Sequence, residues 1–140
     1  MKELTEADNC FVCGKNNPAG LKINFQIEND VCLGQFTASR IHVGFGEIVH
    51  GGIIYAVLDD AMANWFYLQG AFGYTAKAEI RYRSHMLVGE TGMISCRLSK
   101  MKGKLLLLES KIKSKKNNRL IAECEGKFLL SSLGSLGKTD

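Results

Sequence analysis

The chain has 140 residues, 46% of them hydrophobic, with one proline and 15 glycines, a composition that excludes a disordered chain and suits one domain with a real core over residues 1–140. A net charge of +4 is too mild for a nucleic-acid surface, and no uninterrupted apolar run offers a membrane span. The polar start "MKELTEADNC" lacks the apolar stretch of a secretion signal, so the expectation is a cytoplasmic protein without nucleic-acid or membrane partners.

In chain order, "NCFVCGKNNPAG" is a turn-rich lead-in. In "LKINFQIEND", Leu21, Ile23, Phe25 and Ile27 alternate with polar residues, which predicts a strand with one buried face. "VCLGQFTAS" is its hairpin partner across the turn "END", and "GFGEIVHGG" is predicted to be a loop. From Gly51 or Gly52 to Leu68 the apolar pattern is too long for a strand and rich in Ala, Leu and Met. It predicts a helix of about five turns, apolar nearly all round and hence central, with Gly70 as its stop.

Strands then follow one another. Ala76, Ala78, Ile80 and Tyr82 alternate with Lys77, Glu79, Arg81 and Arg83, and Ile94, Cys96 and Leu98 repeat the pattern. "KLLLLESKIKS" follows the turn "KMKGK", and Asn117–Asn118 turn the chain into "RLIAECEGKFLLSS", where Leu120, Ala122, Cys124, Gly126, Phe128 and Leu130 share a face. The terminal "LGSLGKTD" is expected to fray. Two strands, one helix and about four strands make an α+β fold, in which a curved antiparallel sheet of about five or six strands wraps one long helix. A helix this apolar needs more cover than one concave sheet gives, so a dimer is expected.

Five cysteines, at 10, 13, 32, 96 and 124, are an odd number, and without an export signal they read as reduced thiols. Cys32, Cys96 and Cys124 fall in apolar strand-like runs and are expected in the core. The Cys10–Cys13 pair is either half a zinc site, a redox pair or a packed turn. Zinc wants four ligands, and the sequence has no second CxxC or HxxxH to complete the set. A thioredoxin-like role needs a βαβ context that is missing. The packed turn is therefore expected, with no metal and no cofactor.

Between His50 and Lys77 the only charged side chains are Asp59 and Asp60, in the middle of the predicted helix. Acids there are costly unless they pair with an Arg or Lys of the sheet or carry a function. Helix neighbours point about 100° apart, so the two cannot share one role. A carboxylate in an apolar pocket tends to a raised pKa, which suits a general base. At the other end, "HGG" reads either as a plain helix start or as more. A helix N-terminus offers unpaired N–H groups and a positive dipole end, adjacent glycines admit a ligand to that backbone, and a carbonyl becoming an oxyanion is stabilised there.

Gly51 and Asp59 are eight residues apart, about 12 Å along one helix. Groups acting on one carbonyl must lie within about 3–3.5 Å of the reacting atoms. Two helices running antiparallel across a two-fold axis remove the conflict, because the glycine end of one copy then faces the acid of the other.

"HGGIIYAVLDDAM", followed by "GYTAKAEIRYRSHMLVGE", resembles the hotdog-fold thioesterase superfamily over almost the whole chain. The lead-in "CFVCGKNNPAGL" resembles its PaaI-like branch of small bacterial members. The resemblance implies a hydrolase of acyl-CoA or acyl-carrier thioesters, active as a homodimer or a homotetramer built as a dimer of dimers, without a metal. It puts Asp59 at the catalytic carboxylate, as base or nucleophile, and the Gly51 amide at the oxyanion position with Gly52 as helper. His50 orients this turn and contacts the thioester region, and Thr75 falls where some members position water with a Ser or Thr.

Some members carry an Asn or Gln near Gly44, which has no side chain to offer; His42 is either a stand-in or a satisfied loop histidine. Asp60 sits where the branch often has Glu and reads as structural or interfacial. A hotdog dehydratase is the nearest enzymatic rival, but its Glu aligns with Ala56, and Glu47 looks like a solvated loop acid. A non-catalytic acyl-CoA binder is the rival of another class. Arg81, Arg83, Lys100, Lys102 and Lys104 read as solvated strand faces and turns, some of them candidates for CoA phosphates. Tyr55, Trp65, Phe66 and Tyr67 read either as core or as the lining of an acyl tunnel.

Overall fold

The computed structural model describes residues 6–137. Strands β1 (Gln26–Glu28) and β2 (Val31–Thr37) form a hairpin whose turn residues Asn29 and Asp30 take φ of +50° and +64°. Two successive left-handed residues make the turn that matches strand twist, and Asn and Asp tolerate that region best after Gly. The predicted first strand is shorter than its alternation. Lys22 has φ +55°, and the amides of Leu21 and Ile23 bond Phe11 and Val12 carbonyls of the lead-in rather than a sheet neighbour. Ile23 and Phe25 are buried all the same.

The segment predicted as a loop contains a small hairpin, β3 (Val43–Phe45) and β4 (Ile48–Val49), separate from the main sheet. Helix α1 (Gly51–Tyr67) follows directly. It ends where Gly70 takes φ +84° and the Ala71 amide turns back to the Phe66 carbonyl. Strands β5 (Phe72–Tyr82), β6 (Thr91–Lys102), β7 (Leu105–Ser114) and β8 (Leu120–Ser132) complete one six-stranded sheet in the order β1-β2-β6-β7-β8-β5, antiparallel throughout.

The helix packs against β2, β5, β6, β7 and β8. Its Ile54, Val57, Leu58, Ala61, Met62, Trp65 and Phe66 are buried, facing a sheet layer that includes Ile94, Leu106, Leu108, Ile112, Ala122 and Phe128. A side chain at Gly126 would sit 2.9 Å from the Met62 sulfur, so glycine here lets the helix approach the sheet. Cys32, Cys96 and Cys124 are buried free thiols, as the strand pattern predicted. This is the hotdog arrangement of one helix in a six-stranded sheet.

The C-terminal stretch does not fray through Gly137. Residues Gly134–Gly137 form a 3-10 turn, and the Ser135 amide and hydroxyl both donate to the Gln69 carbonyl. The remaining residues of that predicted tail, 138–140, lie outside those described. No helix among the described residues is long and apolar enough to cross a membrane.

Candidate active site

The entry to α1 is set by the β3–β4 hairpin. The His50 amide donates to the His42 carbonyl at 2.8 Å, and the Val49 amide to Met86 at 2.8 Å. Gly44 lies directly beneath His50: a Cβ there would be 3.0 Å from the His50 Cα. An Asn or Gln at this position would displace the turn it is meant to assist. His42 is a satisfied loop histidine. Its Nδ1 accepts from the Ser39 amide at 2.9 Å, its ring packs on Phe36, and burial pushes its pKa down. Glu47 forms an exposed ion pair with Arg40 at 2.9 Å.

His50 caps the helix. Its Nδ1 accepts the Gly52 amide at 2.8 Å, so in the neutral ring the proton sits on Nε2. The Gly52 N–H is thereby committed. The Gly51 N–H, one position earlier, has no partner among the described residues. The Gly51 carbonyl is held from the other side by the Tyr82 hydroxyl at 2.8 Å. Burial pushes the Tyr82 pKa up, so the hydroxyl stays a donor. A cleft of about 360 Å³ opens at this point, lined by Ile48, Gly51, Gly52, Tyr82, His85 and Met86 among others. Strand alternation gave Tyr82 an inward direction but no role; its bond reaches back 31 residues, which no local pattern shows.

Asp59 and Asp60 part company as the helical angle requires. Asp59 Oδ1 accepts from the Thr75 hydroxyl at 2.8 Å. Burial raises its pKa, and the Thr75 bond opposes that rise. A bulge in β5 brings Thr75 there. Thr75 pairs with Phe128 and Lys77 with Lys127, leaving Ala76 as the extra residue. Simple alternation from Ala76 to Tyr82 would put Thr75 on the outer face with Lys77. With the bulge, Thr75 is half-buried while Ala76 is exposed.

Asp60 turns toward the N-terminal lead-in. It accepts from Asn64 Nδ2 at 2.9 Å and from the Cys10 thiol at 3.5 Å, and burial raises its pKa. Burial, then the hydrogen bond and charge of Asp60, push the Cys13 thiol well above its ordinary range. Neither aspartate belongs to an ion pair among the described residues, so the plain reading of an Arg or Lys partner from the sheet does not hold.

The other candidates divide. Trp65 and Phe66 are core: the indole N–H donates to the Asp30 carbonyl at 2.8 Å, and Phe66 meets Phe128 edge-on at 5.5 Å. Tyr67 bonds Glu6 through its hydroxyl, and Tyr55 is half-buried. Arg83 pairs with Glu123 at 3.4 Å, whereas Lys100, Lys102 and Lys104 are exposed on the β6–β7 turn region.

An antiparallel sheet laid along a single long helix, with the helix N-terminus opening onto a cleft, defines a hotdog-fold protein. The chain belongs to the thioesterase superfamily, whose family profile matches residues 46–121. Among solved structures it is similar to smu.793 from Streptococcus mutans UA159 bound to acetyl CoA, with a TM-score of 0.74 and 13% identity over 79% of this chain and 90% of that one. A hypothetical thioesterase from Streptococcus pneumoniae TIGR4 with coenzyme A matches with a TM-score of 0.74 and 12% identity over 79% and 87%. That protein was also solved with a threonine and an aspartate, sixteen positions apart, each replaced by alanine. PaaI of E. coli, from the phenylacetic acid degradation operon, matches with a TM-score of 0.72 and 16% identity over 78% and 83%. At these identities the likeness is one of fold. No curated protein matches the chain in sequence.

Proposed function

We propose that the chain is an acyl-CoA thioesterase, a single hotdog domain working as a homodimer or dimer of dimers in the cytoplasm, with each site shared between two copies. The observation that carries this is the half-buried Asp59 carboxylate, unpaired by any cation among the described residues and held at 2.8 Å by Thr75 from a bulged strand. Thr75 occupies Oδ1, which leaves Oδ2 to take a proton from water. That water attacks the thioester carbonyl. The developing oxyanion accepts the free Gly51 N–H at the positive end of the partner's helix. The C–S bond then breaks, and the thiol leaves with the proton that Asp59 took. His50 and Tyr82 position the Gly51 peptide from either side, and Gly52 serves by engaging His50.

Three further observations support the reading. Two of the structural neighbours were solved with acetyl CoA or coenzyme A. The threonine and aspartate altered in the pneumococcal protein have the same sixteen-residue separation as Asp59 and Thr75 here. The eleven-residue strand β5 forms an open sheet edge, the place where a second copy can add its own strand.

The test is hydrolysis of a panel of short, medium and aromatic acyl-CoAs, with an acyl-carrier thioester alongside, by wild type, Asp59→Asn and Gly51→Pro. Proline lacks the N–H but suits the first helical position, and His50 at ψ 131° already has the backbone that precedes proline. Both variants are expected to fold. Loss of a base costs about 10²–10⁴ in kcat, and loss of an oxyanion donor about 10²–10³. Binding of acyl-CoA by wild type with no turnover, or full activity in Asp59→Asn, overturns the assignment.

A further inference from the structure

Cys10, Cys13 and Asp60 play no part in the chemistry above, yet the fold brings them together from opposite ends of a fifty-residue separation. One ligand atom from each, the two Sγ and a carboxylate oxygen, lies within 4.8 Å of the other two. The lead-in alone offers two thiols. The third group comes from the helix and is visible only in three dimensions.

The loop itself has the form of a metal knuckle. The Cys10 sulfur accepts two backbone N–H groups, from Val12 at 3.4 Å and Cys13 at 3.5 Å. The Cys13 sulfur accepts from Asn64 Nδ2 at 3.6 Å. Both sulfurs accept N–H groups, and the Cys10 S–H also donates to Asp60, so a bound cation would take the place of the thiol protons. Gly14 allows the loop to close, since a Cβ there would meet the Cys10 amide at 2.4 Å. The same Asn64 amide bonds Asp60 Oδ2 at 2.9 Å and fixes the third group against the second.

The spacing suits zinc. With Zn–S of about 2.3 Å and Zn–O of about 2.0 Å in tetrahedral geometry, a sulfur and an oxygen on one ion stand about 3.5 Å apart. Cys10 Sγ and Asp60 Oδ1 are 3.5 Å apart. Three groups whose charged forms are all anions sit half-buried, with Asp60 in no described ion pair, an arrangement that a soft divalent cation offsets. A neighbouring cavity of about 270 Å³, lined in part by Cys13, Asp60 and Asn64, gives room for water or another small ligand at a fourth position.

We propose that Cys10, Cys13 and Asp60 form a zinc site that ties the N-terminal lead-in to the middle of α1. It is a tethering site, separate from the Asp59 chemistry.

The test uses the full chain, freshly purified under reductant without a histidine tag. It is loaded with Zn²⁺ and freed of excess, or loaded with Co²⁺. One zinc is expected per chain by elemental mass spectrometry. The cobalt form is expected to show thiolate-to-metal absorption in the near ultraviolet and the strong visible bands of a tetrahedral site. Zn²⁺ should shield two thiols from a disulfide reagent, and a chelator should release them. Both metal readouts should fall in Cys13→Ser and weaken in Asp60→Asn; if Cys13→Ser fails to fold, Asp60→Asn and the wild-type cobalt spectrum decide. Retention of no zinc above background, a cobalt spectrum without thiolate bands, or a Cys10–Cys13 disulfide in freshly purified protein overturns the proposal.

Discussion

The hydrogen bond from Thr75 to Asp59 is the smallest unit on which the proposed chemistry turns. Burial destabilises the Asp59 carboxylate and raises its pKa above the ordinary 3.8, while the Thr75 hydroxyl favours the charged form and pulls the other way. A base works only when ionised, so kcat/KM should rise with pH through the Asp59 pKa, with its acid limb above the range of a free carboxylate. Thr75→Val removes the one hydrogen bond among the described residues that lowers this pKa. The limb should move to higher pH, and kcat should fall by on the order of tenfold, the worth of one hydrogen bond to a charge, with little change in KM. An unmoved pH profile would show that Thr75 merely packs. Stability has its own sign. A pKa raised in the folded state means that the folded protein holds the proton more tightly than the unfolded chain. Wild type should therefore lose stability as pH rises from 3.8 through the Asp59 pKa, and Asp59→Asn should lack that component.

At the scale of elements, α1 carries both halves of the proposed site, so its seat in the sheet matters. Gly126 on β8 lies against Met62 of α1. A Cβ there would stand 2.9 Å from Met62 Sδ and 2.7 Å from a Phe128 ring carbon. Gly126→Val overfills this contact. It should cost about 1–3 kcal/mol, read as a lower urea midpoint with an unchanged slope. The position of α1 was legible in the sequence because its run is long, apolar and bounded by His50–Gly51 and Gly70, signals that act within one turn. β6, β7 and β8 were legible through their turn signals and partial alternation, but the irregularities at Ser99 in β6 and Ile121 in β8 were not: Ile121 is buried beside Ala122, where alternation had placed Leu120 on that face. Nor was the bulge at Ala76, since an extra residue leaves composition and spacing unchanged while reversing which face Thr75 joins. The β3–β4 hairpin is too short to build a periodicity, and residues 21–25 alternate as a strand would but bond to the lead-in. Tyr82 and the Cys10–Cys13–Asp60 cluster depend on contacts 31 to 50 residues apart, beyond the reach of any sequence window.

For the whole molecule the decisive quantity is the separation of Gly51 from Asp59, about 12 Å along a rigid helix. No side-chain rotation closes that gap, so one copy cannot bring both groups to one carbonyl. Among the described residues the outer edge of β5 has no neighbouring strand, and Tyr74 and Tyr82 on it are 60% and 53% exposed, a wide aromatic surface for a lone chain. In the proposed dimer, pairing across this edge would extend the sheet and run the two helices antiparallel. The consequence can be read in mixed assemblies. Asp59→Asn chains keep a sound Gly51, and Gly51→Pro chains keep a sound Asp59; each alone should be inactive. Unfolded together in equal amounts and refolded, half of the dimers are mixed, and each mixed dimer has one site with both groups intact. Activity should return to about a quarter of wild type. Light scattering should show the same assembly size throughout. If both groups act within one copy, no mixture regains activity, because every site then carries one of the two lesions.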